Sequence, residues 1–230
     1  MGSRLTWNAE GTSVDFVSER FTPRVDSRPV DGAWPNAQWP PAAGVVLVGK
    51  TVELRPSQVA DAAELFTALD SDSVWAHVAG RPAEVAGMQD LINWKLSEPT
   101  WFPWTVRLVE TGEIVGTTSY LETSRADART EIGSTLYRQD VWGTRVNPEC
   151  KLLLLEHAFD VLQMGRVQLK TDIRNERSQQ AIARLGAEFE GVLRRYQRRA
   201  DQSVRDTVLF SIVAEQWSSV RKGLEERVSG

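Results

Sequence analysis

The chain has 230 residues, 41% of them hydrophobic, and a formal net charge of −4. This length and apolar content suffice for one domain of ordinary core size with a segment appended to it. The acidic balance argues against a non-specific nucleic-acid binder and a membrane-surface protein, because both need a basic excess. No apolar stretch reaches the length of a membrane span, and Met1 is followed by polar residues instead of the apolar segment of a signal peptide.

Cys150 is the single cysteine, which excludes an internal disulfide and a zinc site built from cysteines. We therefore expect a reducing compartment, the cytoplasm, and no bound metal. The nine tryptophans are many for this length. They stiffen a core or line an apolar substrate site.

Residues 1–44 hold five of the ten prolines and show no helical or strand period, which predicts an extended N-terminal arm. The arm nevertheless carries aromatic side chains that a solvated tail usually lacks. These are Trp7, Phe16, Phe21, Trp34 and Trp39. We expect the arm to lie on the domain formed by residues 45–230 or on the partner subunit of a homodimer.

The remaining elements are predicted in chain order from apolar periodicity. Residues 45–55 alternate as a first strand that Pro56 ends, and helices follow after Ser57 and over 83–96. Strands are predicted over 104–110, 113–123, 130–138 and 166–173, then around 192–198 and 204–213, with a helix over 214–228. This order indicates a mixed β-sheet with helices on its faces, an α/β fold of α+β character.

The stretch from 131 to 186 is the part that points to chemistry. It reads Glu131-Ile132-Gly133-Ser134-Thr135-Leu136-Tyr137, then Trp142-Gly143-Thr144-Arg145-Val146-Asn147-Pro148-Glu149 and a leucine-rich helix. A strand that passes through glycine into a helix N-terminus presents N–H groups without intrahelical partners, and the helix dipole favours negative charge there. Phosphate is the expected ligand of this turn.

This stretch, together with Asn175-Glu176-Arg177-Ser178 and the close at Leu185-Gly186-Ala187, resembles the GNAT N-acyltransferase superfamily, specifically its RimJ/RimL-type branch. The resemblance covers roughly residues 45–213. It implies a GNAT-like sheet and an acyl-CoA, most simply acetyl-CoA, as the acyl donor. The acceptor it implies is a primary amine, either a protein N-terminus, a lysine or a small molecule.

The resemblance also assigns roles to residues. The turn Trp142, Gly143, Thr144, Arg145, Val146 and Asn147 would hold the pyrophosphate, and Ile132, Gly133, Ser134 and Thr135 would offer backbone groups to the pantetheine arm. Asn175 would bond the pantetheine chain from a helix N-cap position, with Ser178 near the thioester sulfur. Backbone N–H groups of the 130–138 strand would hold the oxyanion.

Glu131 matches the glutamate that some GNAT members use as general base. An ordinary glutamate titrates near 4.3 and an amine near 10, so Glu131 would act through water or need burial to raise its pKa. Otherwise it is a strand-end glutamate that faces solvent or pairs with an arginine. Ser178 is the candidate proton donor to sulfur, unless its role is only structural; Tyr137 and Tyr196 are further conceivable donors.

Trp75 and His77 are substrate-binding candidates by position alone, because the family builds its acceptor site from the segment between the first two helices; Tyr196 is the third. A non-catalytic acyl-CoA-binding module remains an alternative function. A Rossmann enzyme is disfavoured, since no Gly-x-Gly-x-x-Gly follows an early strand.

Three other features are interpreted structurally. His157 is placed in the polar sector of its helix and is expected to be solvated, and Cys150 is expected to pack in the core. Arginines 194, 195, 198, 199 and 205 form a basic run that we expect to be a solvated face paired with Glu188, Glu190 and Asp201; the alternative is a surface for the 3′-phosphate of coenzyme A, an acidic peptide or RNA. In the turn, Asp140 and Arg145 depart from the family pattern, which has a cation or glutamine at the first position and a small residue at the second.

Overall fold

The structure is a computed structural model that describes residues 6–7, 13–14, 22–23, 25–26 and 33–229. It falls into two units, Met1–Ala33 and Trp34–Gly230. In the first unit, strands β1 (Thr6–Trp7) and β2 (Ser13–Val14) pair antiparallel. The contacts expected of the Trp7, Phe16 and Phe21 side chains lie outside the described part of the chain, and the boundary at residue 44 stays a prediction.

The second unit is built on one eight-stranded sheet in the order β3-β4-β5-β6-β7-β8-β10-β9. Its strands are β3 (Leu47–Val48), β4 (Val52–Pro56), β5 (Phe102–Leu108), β6 (Ile114–Ser124), β7 (Arg129–Tyr137), β8 (Arg166–Asp172), β9 (Glu188–Arg198) and β10 (Val204–Val213). All neighbours are antiparallel except β7 and β8, which run parallel. The predicted mixed sheet is confirmed.

Helices cover both faces of this sheet. They are α1 (Ala62–Ala68), α2 (Asp72–Trp75), α3 (Val85–Ser97), α4 (Val146–Glu156), α5 (Glu176–Ala183) and α6 (Trp217–Ser229). Helices α4 and α6 pack with the sheet in the larger apolar core, while α1, α2 and α3 enclose a second core on the β6–β7 part of the sheet. None of the described helices combines the length and hydropathy that a membrane crossing requires.

Residues 34–41 belong to the second unit and pack against its sheet. The Trp39 indole N–H donates to the Pro99 carbonyl at 3.0 Å, and its ring meets Phe102 and Tyr120 edge-on. Ala37 is buried in the larger core. At least this part of the expected arm is packed on its own domain.

The first predicted strand is wrong in one respect, because residues 45–55 form two strands, β3 and β4, joined by a tight turn. Glu149 of α4 closes that turn, since its carboxylate accepts from the N–H groups of Lys50, Thr51 and Val52 at 2.7 to 2.9 Å. A helix carboxylate 97 residues or more away in sequence thus satisfies three backbone donors that the strand pattern could not account for.

Candidate active site

Strands β7 and β8 share only three residue pairs, the last being Glu131 with Gln168. Beyond that pair β7 continues along β6 while β8 stays with β10, so the two strands separate. We call this separation the fork. It leaves main-chain groups of β7 without a strand partner on one side, which suits an extended, amide-rich ligand. The Glu131 carboxylate lies at the closed end of the fork and is buried, with 5% exposure.

Side chains of β8 and β9 surround Glu131. Its Oε2 accepts from Lys170 Nζ at 2.8 Å and from Gln168 Nε2 at 3.2 Å. Lys170 Nζ also donates to Glu122 Oε2 and to the Tyr196 hydroxyl, each at 2.8 Å. Two of the residues singled out from the sequence, Glu131 and Tyr196, therefore meet through a lysine that the sequence did not single out.

Burial raises the pKa of Glu131 above its ordinary value, and the neighbouring Lys170 ammonium offsets part of that rise. For Lys170, burial opposes the charge, but the Glu131 and Glu122 carboxylates outweigh it and raise its pKa above the ordinary value. Lys170 consequently keeps its proton across the neutral range. Glu131 is a carboxylate with strengthened basicity, which is what proton abstraction needs.

Gly133 makes room for this carboxylate. A Cβ added at Gly133 would lie 2.8 Å from Glu131 Oε1 and 3.0 Å from Leu121 Cδ2, so a side chain here would displace the acid. The next residue, Ser134, has a φ of +48°, and the pairing of β7 with β6 shifts register at this point. The shift is a β-bulge, a device that redirects side chains next to functional sites.

The bulge directs two successive hydroxyls towards two buried lysines. Lys95 Nζ from α3 donates to Ser134 Oγ at 2.9 Å, and Lys151 Nζ from α4 donates to Thr135 Oγ1 at 3.0 Å. Burial lowers the pKa of each lysine to about 8. Within residues 33–229 neither lysine has a carboxylate in ion-pair distance, so both faces of β7 carry an unbalanced cation beside the fork.

The glycine turn follows the far end of β7, after a 3₁₀ turn over Gln139–Val141. Gly143 has a φ of +77° and open space where a Cβ would lie, which fits a turn that a ligand approaches closely. Helix α4 starts at Val146, whose N–H donates to the Thr144 hydroxyl at 3.3 Å. Arg145 is exposed at the N-cap position. In the described part of the chain no carboxylate pairs with it.

Asp140, where the family pattern has a cation or glutamine, is bonded to Arg138 at 2.8 Å. The Arg138 guanidinium holds the pKa of that carboxyl below its usual range. Arg138, two residues earlier, thus neutralises the negative charge that Asp140 introduces at this position.

The start of α5 faces the turn across the open end of the fork. Asn175 Oδ1 accepts from the Ser178 N–H at 3.0 Å, which is the predicted N-cap. Ser178 is half-buried. Arg177 lies 3.6 Å above the Trp142 ring centroid, so helix α5 and the turn are in contact. The residues predicted for the pantetheine and for the pyrophosphate are therefore neighbours in the fold.

Trp75 is buried at 8% exposure, and its indole N–H donates to the Leu69 carbonyl at 2.8 Å. It lines a cavity of about 200 Å³ between α1, α3 and the sheet, which also reaches Lys95 and Ser134. His77, the neighbouring candidate, is exposed and does not line that cavity. Of the two candidates between α1 and α3, only Trp75, at the end of α2, therefore points inwards.

The prediction that His157 is solvated is wrong. It is 4% exposed, stacks on Tyr120 with ring centroids 6.0 Å apart, and burial lowers its pKa to about 4. The reason is that α4 is buried on more than its leucine face. His157 follows the buried Cys150 and Leu154 at spacings of seven and three residues, so it shares their side of the helix. Cys150 is fully buried, and burial raises the pKa of its thiol to about 12, as a packing cysteine requires.

The expected partners of the arginine run are also wrong. Arg199 pairs with Asp172 at 2.6 Å, and Glu190 pairs with Arg166 instead of an arginine of the run. The long β9–β10 hairpin returns the run to the end of β8, a contact between distant residues that the local pattern of charges does not contain.

Sequence reasoning missed Lys95, Lys151 and Lys170. A signal was present for Lys95, which shares the buried stripe of α3 with Met88 and Ile92 at spacings of seven and three residues. A lysine on an apolar stripe is rarely accidental, because burying an unpaired charge is costly.

The profile described as an acetyltransferase (GNAT) domain matches residues 51–188. The chain belongs to the GNAT acetyltransferase family, which confirms the resemblance found in residues 131–186.

A structure from T. thermophilus that is assigned to the acetyltransferases is 35% identical, with a TM-score of 0.74, over 83% of this chain and 99% of that one. Mycobacterium smegmatis RimJ, solved in complex with CoA-disulfide, shares the fold at 24% identity and a TM-score of 0.68, over 85% and 97% of the two chains. The uncharacterized N-acetyltransferase p20 of Bacillus licheniformis is 26% identical over 50% of this chain, and the match spans 64% of p20.

Proposed function

We propose that this protein is an acyl-CoA-dependent N-acyltransferase that acetylates a primary amine, with Glu131 as the general base. The observation that carries the proposal is the buried Glu131 carboxylate at the closed end of the fork, in a chain of the GNAT family. Acyl-CoA supplies an acyl thioester that is open to direct attack by an amine.

Glu131 takes the proton that the amine loses as it attacks, directly or through one water. Its raised pKa and its burial favour this role, since a stronger base transfers a proton more readily. Lys170 holds the carboxylate in position at 2.8 Å, and the Tyr196 hydroxyl fixes Lys170 in turn. In this arrangement Lys170 and Tyr196 are positioning residues, and Glu131 is the group that meets the substrate.

The open edge of β7 binds the acyl donor and stabilises the transition state at the thioester. Backbone N–H groups along residues 132–135 bond the amide-rich arm of the donor and stabilise the developing oxyanion, because the sheet holds them in place beforehand. Ser178 gives a proton to the departing sulfur, and Asn175 orients the start of α5 through its cap. The bulge at Ser134 supports this use of β7.

The phosphates of the donor would lie on the turn from Trp142 to Asn147. Gly143 lets the backbone approach, the N-terminus of α4 favours negative charge, and the exposed Arg145 supplies a cation. These groups fit coenzyme A, because its pyrophosphate is negatively charged and the turn offers a positive potential.

The acceptor implied by the RimJ/RimL-type resemblance is a protein N-terminal amine. A small-molecule amine is the second candidate, and the cavity of about 200 Å³ beside β7 favours it, since a mostly apolar cavity with few polar groups is typical of small-molecule recognition. A non-catalytic acyl-CoA-binding module is the alternative from another class. The buried Glu131–Lys170 pair argues against it, because ligand storage needs no base.

Two measurements test the proposal. Coenzyme A should raise the melting temperature, since a ligand present at a hundred times its Kd stabilises the folded state by about 2.7 kcal/mol. A screen of acetyl-, propionyl- and succinyl-CoA against N-terminal peptides, lysine and small amines, read as thiol release, should then show turnover. Thermal stabilisation without thiol release would leave the binding module as the function. If coenzyme A gives no thermal stabilisation and no acyl-CoA releases thiol, the proposed function is wrong.

A further inference from the structure

The cavity beside β7 is walled by rigid aromatic side chains. We call it the tryptophan cavity, after Trp75, Trp94 and Trp101. Trp75 is fixed by its bond to the Leu69 carbonyl, and Trp94 and Trp101 pack edge to face with ring centroids 5.0 Å apart. Trp94 is 48% exposed, so the cavity reaches the surface beside it. A volume near 200 Å³ admits an aromatic ring with several further atoms, since a cavity of about 150 Å³ binds benzene.

One charged side chain interrupts this apolar wall. Lys95 is 5% exposed, and its ammonium lies 2.9 Å from Ser134 Oγ and 5.9 Å from the Trp101 ring centroid. An ammonium has three N–H donors, and the Ser134 hydroxyl is the one hydrogen-bond acceptor that the described residues offer it. In the same part of the chain no carboxylate balances its charge. A buried cation that faces a cavity without a counterion is suited to an anionic ligand.

The cavity and Glu131 lie on the same face of the sheet. In the β6–β7 register, Leu121 pairs with Glu131, Ser119 with Gly133 and Thr117 with Leu136. Alternation along β6 places its three residues on one face. Thr117 and Leu136 line the cavity, so the cavity lies on the sheet face that carries Glu131.

Ser134 is three residues from Glu131 along β7, a separation of roughly 10 Å. An acceptor that offered its amine towards Glu131 could therefore bring a carboxylate to Lys95 and an apolar group into the tryptophan cavity. We propose that the acceptor is an apolar amino acid or a closely related amino-carboxylic acid with an aromatic or branched side chain. This inference rests on the proposed function, because it uses the position of Glu131 to orient the amine.

The first test measures binding without any transfer. Calorimetric titration should show that 3-phenylpropanoate, which has the ring and the carboxylate but no amine, binds the wild-type protein. The neutral 3-phenylpropanamide should bind at least about tenfold more weakly, because it lacks the charge that Lys95 would meet. Equal affinity for the acid and the amide, or no binding of the acid, would overturn the inference.

The matched variants are Lys95→Met and Lys151→Met, which remove the two buried lysines on opposite faces of β7. Lys95→Met should weaken 3-phenylpropanoate at least about tenfold and leave the amide unaffected. Lys151→Met should keep the wild-type preference of acid over amide. Both variants are compared by circular dichroism and melting, and Lys95→Arg is the second variant at the site, expected to retain the preference. A Lys95→Met protein that is folded and binds the acid as tightly as wild type would contradict the assignment.

The kinetic arm compares phenylalanine, phenethylamine and an alanine-initiated peptide as acceptors. Wild type should prefer phenylalanine over its decarboxylated analogue through KM, and Lys95→Met should abolish that preference. If 3-phenylpropanoate binds and no amine is acetylated, the cavity assignment holds and the proposed transfer fails. If the peptide is acetylated and free amino acids are not, the transfer holds and this inference fails.

Discussion

Lys170 and Lys95 are two buried lysines on one sheet face that resolve the same physical problem in opposite ways. The Lys170 side chain is 6% exposed and meets two carboxylates and a tyrosine hydroxyl. Lys95 is 5% exposed and meets one serine hydroxyl. The pKa of Lys170 is raised above its ordinary value despite burial, while burial lowers the pKa of Lys95 to about 8. The paired charge of Lys170 is held in place, whereas we propose that the unpaired charge of Lys95 meets a ligand.

Lys170→Met breaks the paired side of this comparison and should have the largest effect on stability. It leaves Glu131 buried without its cation, which typically costs about 3 kcal/mol when one partner of a buried pair is removed. Urea unfolding at pH 7 measures the loss. The loss should shrink at low pH, where Glu131 becomes protonated, and a loss that is the same at every pH would mean that Lys170 contributes through packing alone.

Arg145→Ala tests another cation for which the described residues offer no carboxylate partner. Unlike Lys95, Arg145 is exposed, so water solvates its charge in the free protein. If Arg145 bonds the pyrophosphate, the variant should bind coenzyme A more weakly by roughly 1.5 to 3 kcal/mol. A pantetheine donor without phosphates should bind both proteins alike. Calorimetry distinguishes the cases, and tighter coenzyme A binding by the variant would show that the side chain obstructs the turn.

Much of the fold was predictable because its signals are local. The Asn175 cap and the strand before the Gly143 turn follow from neighbouring residues. So does the break between the strands predicted over 104–110 and 113–123, where Gly112 has a φ of +73°. Glu131 was found by its place in a motif. Its partners Lys170 and Tyr196 were not connected to it, because they come from β8 and β9, 39 and 65 residues later in the numbering.

The prediction for His157 is wrong because α4 is buried on two sides. Glu156 and Asp160 indicated a polar sector, but His157 lies on the stripe of the buried Cys150 and Leu154, seven and three residues before it. Lys95 was missed for a different reason. Its stripe position was readable, but a lysine is normally assigned to the surface, and the absence of a counterion is visible only when all surrounding elements are in place.

Lys95→Met tests the unpaired side of the comparison and should have the smallest effect, with the opposite sign. Removing the unbalanced charge should raise the free energy of unfolding at pH 7 by about 1 kcal/mol, because an apolar side chain needs no counterion. In the wild-type protein Lys95 has a pKa of about 8 when folded and 10.5 when unfolded, so the folded state binds fewer protons between these pH values. The free energy of unfolding should therefore rise with pH through this range. Lys95→Met should lack this increase in the free energy of unfolding. Chemical unfolding at pH 7 and pH 10 measures it, and a destabilised variant would show that Lys95 is held by interactions stronger than its single serine bond.

The central claim is that the carboxylate at the fork takes the proton of the attacking amine. Its most direct test is the pH dependence of kcat/KM for wild type and Glu131→Gln, followed by thiol release with one acetylated amine. The account predicts a loss of about a hundredfold or more at neutral pH that narrows towards alkaline pH, where the amine is already deprotonated. Coenzyme A binding by the variant should be unchanged. A Glu131→Gln protein with the wild-type rate and the wild-type profile would contradict the account and return Glu131 to a structural role in the ion pair with Lys170.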